Sequence, residues 1–127
     1  MDKLTAACKT ISTASRQAKR QVLLRCVDRT TKAFLEMMQK KGYVTDITYI
    51  HDNRKGKAVI GLNGRLNKCG TICPRFNVKC EQIEKFRDRI LPARQFGHLL
   101  LTTSSGVLDH NECISKKVGG KVLGFFY

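Results

Sequence analysis

Six cysteines, three histidines and one run of hydroxyls are the residues whose types could do chemistry in this chain. The cysteines stand at 8, 26, 69, 73, 80 and 113, and no Cys-x-x-Cys occurs. Cys69 and Cys73 have the loose spacing of one zinc knuckle. A second pair of closely spaced ligands is missing, because Cys80 and Cys113 stand alone and His98 precedes an apolar run. Cys8 and Cys26 fall on apolar positions, where a thiol acts as a small hydrophobe. Unligated thiols are the favoured reading, and no metal or cofactor is expected. A nucleophilic enzyme needs Cys or Ser beside a His and an orienting acid. Asp109-His110 lies close to Ser104 and Ser105 in sequence, but no G-x-S-x-G surrounds either serine. Gly61-Leu62-Asn63-Gly64-Arg65 lacks the Lys-Ser/Thr ending of a phosphate loop. Catalysis is not supported.

Recognition suits the same residues better. In Thr102-Thr103-Ser104-Ser105-Gly106, short hydroxyls could donate and accept at a base edge or a ribose 2′-OH. Gly106 would let the backbone approach a sugar-phosphate chain. Alone, such a run reads as a polar turn. The basic residues Arg65, Lys68, Arg75 and Lys121 in the same half of the chain tip the balance toward RNA.

The charge of the whole chain agrees. Its 127 residues carry 24 Lys+Arg against 10 Asp+Glu, a net charge of +14. Between Asp52 and Glu81 there are seven bases and no acid, and residues 3–27 hold six bases and no acid. An excess this wide implies a polyanionic partner. A membrane surface would require an amphipathic helix with a bulky apolar face, whereas the N-terminal segment offers a small one (Ala7, Cys8, Ala14, Ala18). Trp is absent and no aromatic pair matches an RRM strand, which argues against single-strand stacking as the main mode. The inference is a folded or duplex RNA, read through shape and backbone. No apolar run is long enough to span a bilayer, and the start Met1-Asp2-Lys3 leads into no apolar secretion segment, so a soluble cytoplasmic protein is expected.

These residues need elements to hold them. Leu4, Ala7, Cys8, Ile11, Ala14 and Ala18 recur at helical spacing. Gln21 to Val27 reads as a short strand. Asp28 reads as the N-cap of a helix with Ala33, Phe34, Met37 and Met38 on one face, ending at Gly42. Tyr43 to Ile50 and Ala58 to Leu62 form an antiparallel hairpin around the turn residues 51–57. Asn63 to Pro74 reads as a linker or exposed loop. Beyond it come a strand from Phe76 to Cys80 and a helix from Glu81 to Leu91, with Ile83, Phe86 and Ile90 inward and Pro92 as the stop. A central apolar strand over Gly97 to Thr103 follows, then the hydroxyl loop, a short helix from Asp109 to Lys117, and a last strand over Lys121 to Tyr127. The fold class is α+β with two small lobes. An N-terminal α-β-α-β-β layer covers 1–63, and a mostly β, RNA-binding lobe with short helices covers 64–127.

Several runs resemble the S-eight family of small-subunit ribosomal proteins, in its eukaryotic cytosolic (S-fifteen-a) branch. They are Gly64-Arg65-Leu66-Asn67-Lys68-Cys69-Gly70, Pro74-Arg75-Phe76, Leu91-Pro92-Ala93-Arg94-Gln95-Phe96-Gly97, Leu101 through His110, and Gly119 through Tyr127. The resemblance spans essentially the whole chain and is densest in the second half. It implies a two-lobed protein that binds a central-domain helix of small-subunit rRNA early in assembly, beside neighbouring ribosomal proteins and without forming a homo-oligomer. It implies that Thr103, Ser104, Ser105 and Gly106 enter an RNA minor groove, and that Cys73-Pro74-Arg75 and Lys121 also face RNA. Two departures stand out. Cys73 takes a position where the family usually has Ser, and Asn111-Glu112-Cys113-Ile114-Ser115 replaces Glu-Glu-Ala-Arg-Arg. The alternative function is a free-standing RNA-binding regulator acting on messenger RNA through the same surface.

Overall fold

In the computed structural model, which describes residues 3–51, 56–72, 75–92 and 97–127, the helical periodicity of the N-terminus becomes α1 (Lys3–Arg16). Leu4, Ala7, Cys8, Ile11 and Ala14 form its buried stripe. A short strand, β1 (Gln21–Leu24), follows and leads to α2 (Arg29–Lys40). α2 starts where the sequence predicts. The Asp28 carboxylate accepts the Thr31 N–H at 2.8 Å, satisfying one of the N–H groups that the first turn leaves open. Phe34, Leu35, Met37 and Met38 are its buried face, and the methionines serve as core filler.

The hairpin strands are β2 (Val44–Ile50) and β3 (Lys57–Leu62). With β1 they make an antiparallel sheet in the order β1-β3-β2. Along β3 the buried residues alternate as Ala58, Ile60 and Leu62, so one face of the sheet lies on the core. Residues 52–55 of the expected turn lie outside the described residues.

Residues 63–68 are irregular and mostly exposed, as a linker or loop would be, but Leu66 and the stretch from Cys69 correct that reading. Leu66 and Cys69 are each 5% exposed, and β4 (Cys69–Thr71) is a strand. Two serines of α1 hold this segment. Ser15 Oγ donates to the Leu66 carbonyl at 2.7 Å, and Ser12 Oγ donates to the Cys69 carbonyl at 2.9 Å. Low periodicity marks the stretch as irregular, yet the Leu66 and Cys69 carbonyls and the Cys69 N–H are bonded to hydroxyls from the helix. Burial does not require regular structure when partners exist.

The structure divides into two compact units, residues 1–70 and 71–127. The second unit contains β5 (Asn77–Val78), a 3₁₀ turn at Cys80–Gln82, α3 (Ile83–Ile90), β6 (His98–Thr103), β7 (Gly106–Asp109), α4 (His110–Lys116) and β8 (Gly120–Phe126). Its sheet has the order β4-β8-β6-β7, with β5 also paired to β8. Leu99, Leu100 and Leu101 are all fully buried, so β6 is covered on both faces, as its unbroken apolar run predicts. Val78, Ile83, Leu91, Leu99, Leu101, Leu108, Cys113 and Val122 form the core, and Phe86 and Ile90 pack against it. Besides β4, β7 is a strand that the sequence reading misses, since a turn signal leads straight to a helix cap. No helix among the described residues is long and apolar enough to cross a membrane.

Candidate nucleic-acid interface

The hydroxyl run is the tip of a β-hairpin. Thr103 of β6 pairs with Gly106 of β7, leaving Ser104 and Ser105 as a two-residue turn. Turns this tight require unusual backbone angles, and Gly106 supplies one at φ +106°. A Cβ there would meet nothing within 4 Å, so the glycine serves the angle and not the space. Thr103 is committed to the turn. Its hydroxyl donates to the Gly106 carbonyl at 2.9 Å and accepts the Ser105 N–H at 3.1 Å. Ser104 and Ser105 are exposed, and their hydroxyls have no protein partner among the described residues. The turn thus separates a hydroxyl that builds it from two that face outward.

Beside the tip lies a cavity of about 670 Å³, lined by Thr102, Thr103 and Ser104 from the hairpin and by Lys79, Lys117 and Lys121. Asn77, Val78, Cys80, Gly119 and Gly120 complete the lining, and no acidic residue is among them. Strand register brings distant residues together here. Lys121 of β8 stands across from Thr102 of β6 on one side and from Asn77 of β5 on the other. A bulge between Leu100 and Leu101 resets the β6–β8 register just before this point. The close approach depends on Gly119-Gly120. A Cβ on Gly120 would run into the Thr102 carbonyl, and one on Gly119 would lie 2.6 Å from the Val78 carbonyl.

Lys79 and Lys117 are the residues that sequence reasoning missed. Lys117 caps α4 in the left-handed conformation (φ 56°, ψ 42°), which turns the chain toward β8 and leaves its side chain on the cavity. The available signal was the Lys116-Lys117 pair directly before Gly119-Gly120. The other expected residues are distributed as follows. Arg75 is exposed just before β5. Arg65 and Lys68 are exposed in the first unit, where the Arg65 guanidinium lies 4.9 Å from the centre of the Tyr43 ring, and neither lines the cavity. Cys73 and Pro74 lie outside the described residues.

Asp109, His110, Cys69 and Cys113, considered above for catalysis or metal binding, have structural employment. His110 is 1% exposed, and its Nδ1 accepts the Leu99 N–H at 3.2 Å. Asp109 caps α4 by accepting the Glu112 N–H at 2.8 Å. The Cys69 thiol reaches the Cys8 carbonyl and the Ser12 hydroxyl, each at 3.3 Å. Hydrogen bonding with the Cys8 side chain, and then with Ser12, outweighs burial and holds that thiol below its ordinary pKa. Burial pushes the Cys113 thiol up to about 11, helped by Asp109 and Glu112 nearby. Among the described residues, no group of three or more His, Cys, Asp or Glu could hold a metal ion.

A hairpin tip with two outward hydroxyls beside three lysines suits a polyanion with groove-lining hydroxyls. Comparison with known proteins gives the family. The family model for ribosomal protein S8 matches residues 2–127. Small ribosomal subunit protein uS8B of Saccharomyces cerevisiae is 54% identical over 124 residues, covering 98% of this chain and 95% of the relative. The uS8B protein of Candida albicans is 53% identical with the same coverage. Small ribosomal subunit protein uS8 of Strongylocentrotus purpuratus is 48% identical over 127 residues, covering 100% of this chain and 98% of the relative. With a match over its full length and about half of its residues shared, the chain belongs to the ribosomal protein S8 family.

Proposed function

We propose that this protein is a non-catalytic structural constituent of the small subunit of the cytosolic ribosome. It binds a central-domain helix of small-subunit rRNA and so supports subunit assembly and translation. The observation that carries the reading is the Ser104–Ser105 tip beside a cavity lined by Lys79, Lys117 and Lys121 and by no acid. A-form RNA offers a wide, shallow minor groove edged with 2′-hydroxyls, which short serine side chains can approach without steric cost. Lysines around the cavity neutralise phosphates on either side and fix the depth of the tip. Arg65, Lys68, Arg75 and the Cys73-Pro74 segment extend the contact along the RNA backbone in the same reading.

The direct test is co-sedimentation of the tagged protein with small subunits through a high-salt sucrose gradient. The expected outcome is stable co-migration with the small subunit. A protein found only in free fractions or on messenger RNA would refute the ribosomal role.

A further inference from the structure

A second groove, in the first unit, is lined by none of the individual residues named above as RNA contacts, although its cations belong to the basic stretch 3–27. It consists of two adjoining hollows of about 490 and 660 Å³ that share Thr10 and Leu23. α1 provides one wall and β1 the other. β1 is an edge strand whose sheet neighbour is β3. The Leu62 N–H donates to the Arg20 carbonyl at 2.7 Å, which sets the alternation of the ladder. Arg20, Val22 and Leu24 therefore direct their backbone groups to β3, and Gln21 and Leu23 direct theirs to the open edge. Leu23 is also 48% exposed, an apolar side chain on the sheet's edge strand.

Charge identifies what such an edge accepts. Lys3, Lys9, Lys19 and Arg25 line the two hollows, and no acid does. Lys9, Lys19 and Arg25 form no ion pair among the described residues. Edge cations deter pairing with like-charged strands. The β1 edge of a second copy of this chain would bring the same cations, so self-association along β1 is opposed. An acidic strand meets no such opposition. RNA could satisfy the cations, but it lacks the regularly spaced N–H and C=O groups that a sheet edge pairs with. We propose that this groove receives an extended acidic segment of another protein, added beside β1 as a fourth strand of the sheet. At about 3.3 Å per residue, the four residues of β1 accommodate a segment of roughly four to six residues.

The test uses the full-length protein and a labelled peptide alternating Glu or Asp with Val, followed by fluorescence anisotropy and backbone amide NMR. The peptide should bind and shift the Gln21 and Leu23 amides. N-methylation of the peptide at alternate residues should weaken binding by about tenfold or more, because the strand hydrogen bonds are lost. Lys9→Glu with Arg25→Glu should weaken it comparably. Leu23→Pro, which removes one outward N–H, should also reduce binding. Because proline can unfold a short strand, the N-methylated peptide tests the same bonds with the protein intact. Equal binding of the N-methylated peptide would overturn the proposal in favour of charge attraction alone. Displacement of the peptide by an RNA duplex that shifts the same amides would overturn it in favour of RNA. So would a concentration-dependent dimer that shifts those amides.

Discussion

The hairpin hydroxyls divide into one that stabilises the turn and two that are available to a partner, and this division yields opposite mutational signatures. Ser104→Ala with Ser105→Ala removes exposed groups and should leave folding stability unchanged. If the hydroxyls pair in an RNA groove, their loss should cost about 1–3 kcal/mol in binding the cognate helix while leaving a generic duplex nearly unaffected. Comparing the two RNAs at one fixed salt, wild type beside double mutant, checks this. Thr103→Val instead removes both hydrogen bonds inside the turn. It should lower folding stability by about 1–2 kcal/mol and weaken both RNAs together, since the tip loses its shape. At the same scale, Cys113 should resist alkylation at pH 8 in the native protein, while the partly exposed Cys26 reacts. Cys113 is fully buried and its thiol is held near 11, so little thiolate is present. Mass spectrometry after a timed pulse of iodoacetamide gives the order of labelling.

At the scale of elements, caps and close approaches carry more than propensity. Burial opposes ionisation of Asp28, but the hydrogen bond from Thr31 and the charge of Lys3 outweigh it and hold the carboxyl below its ordinary pKa. A carboxyl whose folded pKa is depressed stabilises fully above its unfolded value and stops doing so as pH falls through the folded value. Asp28→Ala should therefore cost about 1 kcal/mol at neutral pH, with the difference from wild type shrinking at acid pH. Urea denaturation at two pH values measures it. Gly120 holds β8 against β6 where a Cβ would strike the Thr102 carbonyl. Gly120→Val should destabilise by about 1–3 kcal/mol through overpacking. It should also reduce RNA affinity, because Lys121 and the hairpin would move apart. Stability would be read from chemical denaturation and affinity from the same RNA helix.

For the whole molecule, charge sets how strongly and how reversibly RNA is held. A net charge of +14 predicts affinity that falls steeply with salt, because each neutralised phosphate releases condensed counterions. Alanine at Lys79, Lys117 and Lys121 together should flatten the log-affinity against log-salt slope by about three units, one per phosphate contact. Arg65→Ala or Lys68→Ala should each remove about one unit if that residue faces a phosphate. Titrations at four salt concentrations are sufficient. A slope unchanged by the triple substitution would mean that the cavity does not meet RNA phosphates.

Sequence alone determined the features in which a residue's neighbours in the chain decide its environment. The stripe Leu4, Ala7, Cys8, Ile11, Ala14 and the cap at Asp28 were legible because helical contacts lie within four positions. The double-sided burial of β6 followed from its unbroken apolar run, and the basic excess was a count. Tertiary structure decided which of these features meet. That Lys121 stands across from Thr102 depends on strand register, a bulge and two glycines that permit close approach. That Lys117 reaches the same cavity depends on a left-handed cap which lysine adopts only where the fold enforces it. The burial of Leu66 and Cys69 was unreadable because the partners of their carbonyls, Ser15 and Ser12, lie more than fifty positions away on a helix whose own pattern gives them no distinction. Pattern reports which face of an element is apolar. Which polar groups of distant segments satisfy one another emerges only when the chain closes on itself, because a hydrogen bond depends on distance in space and not on separation in sequence.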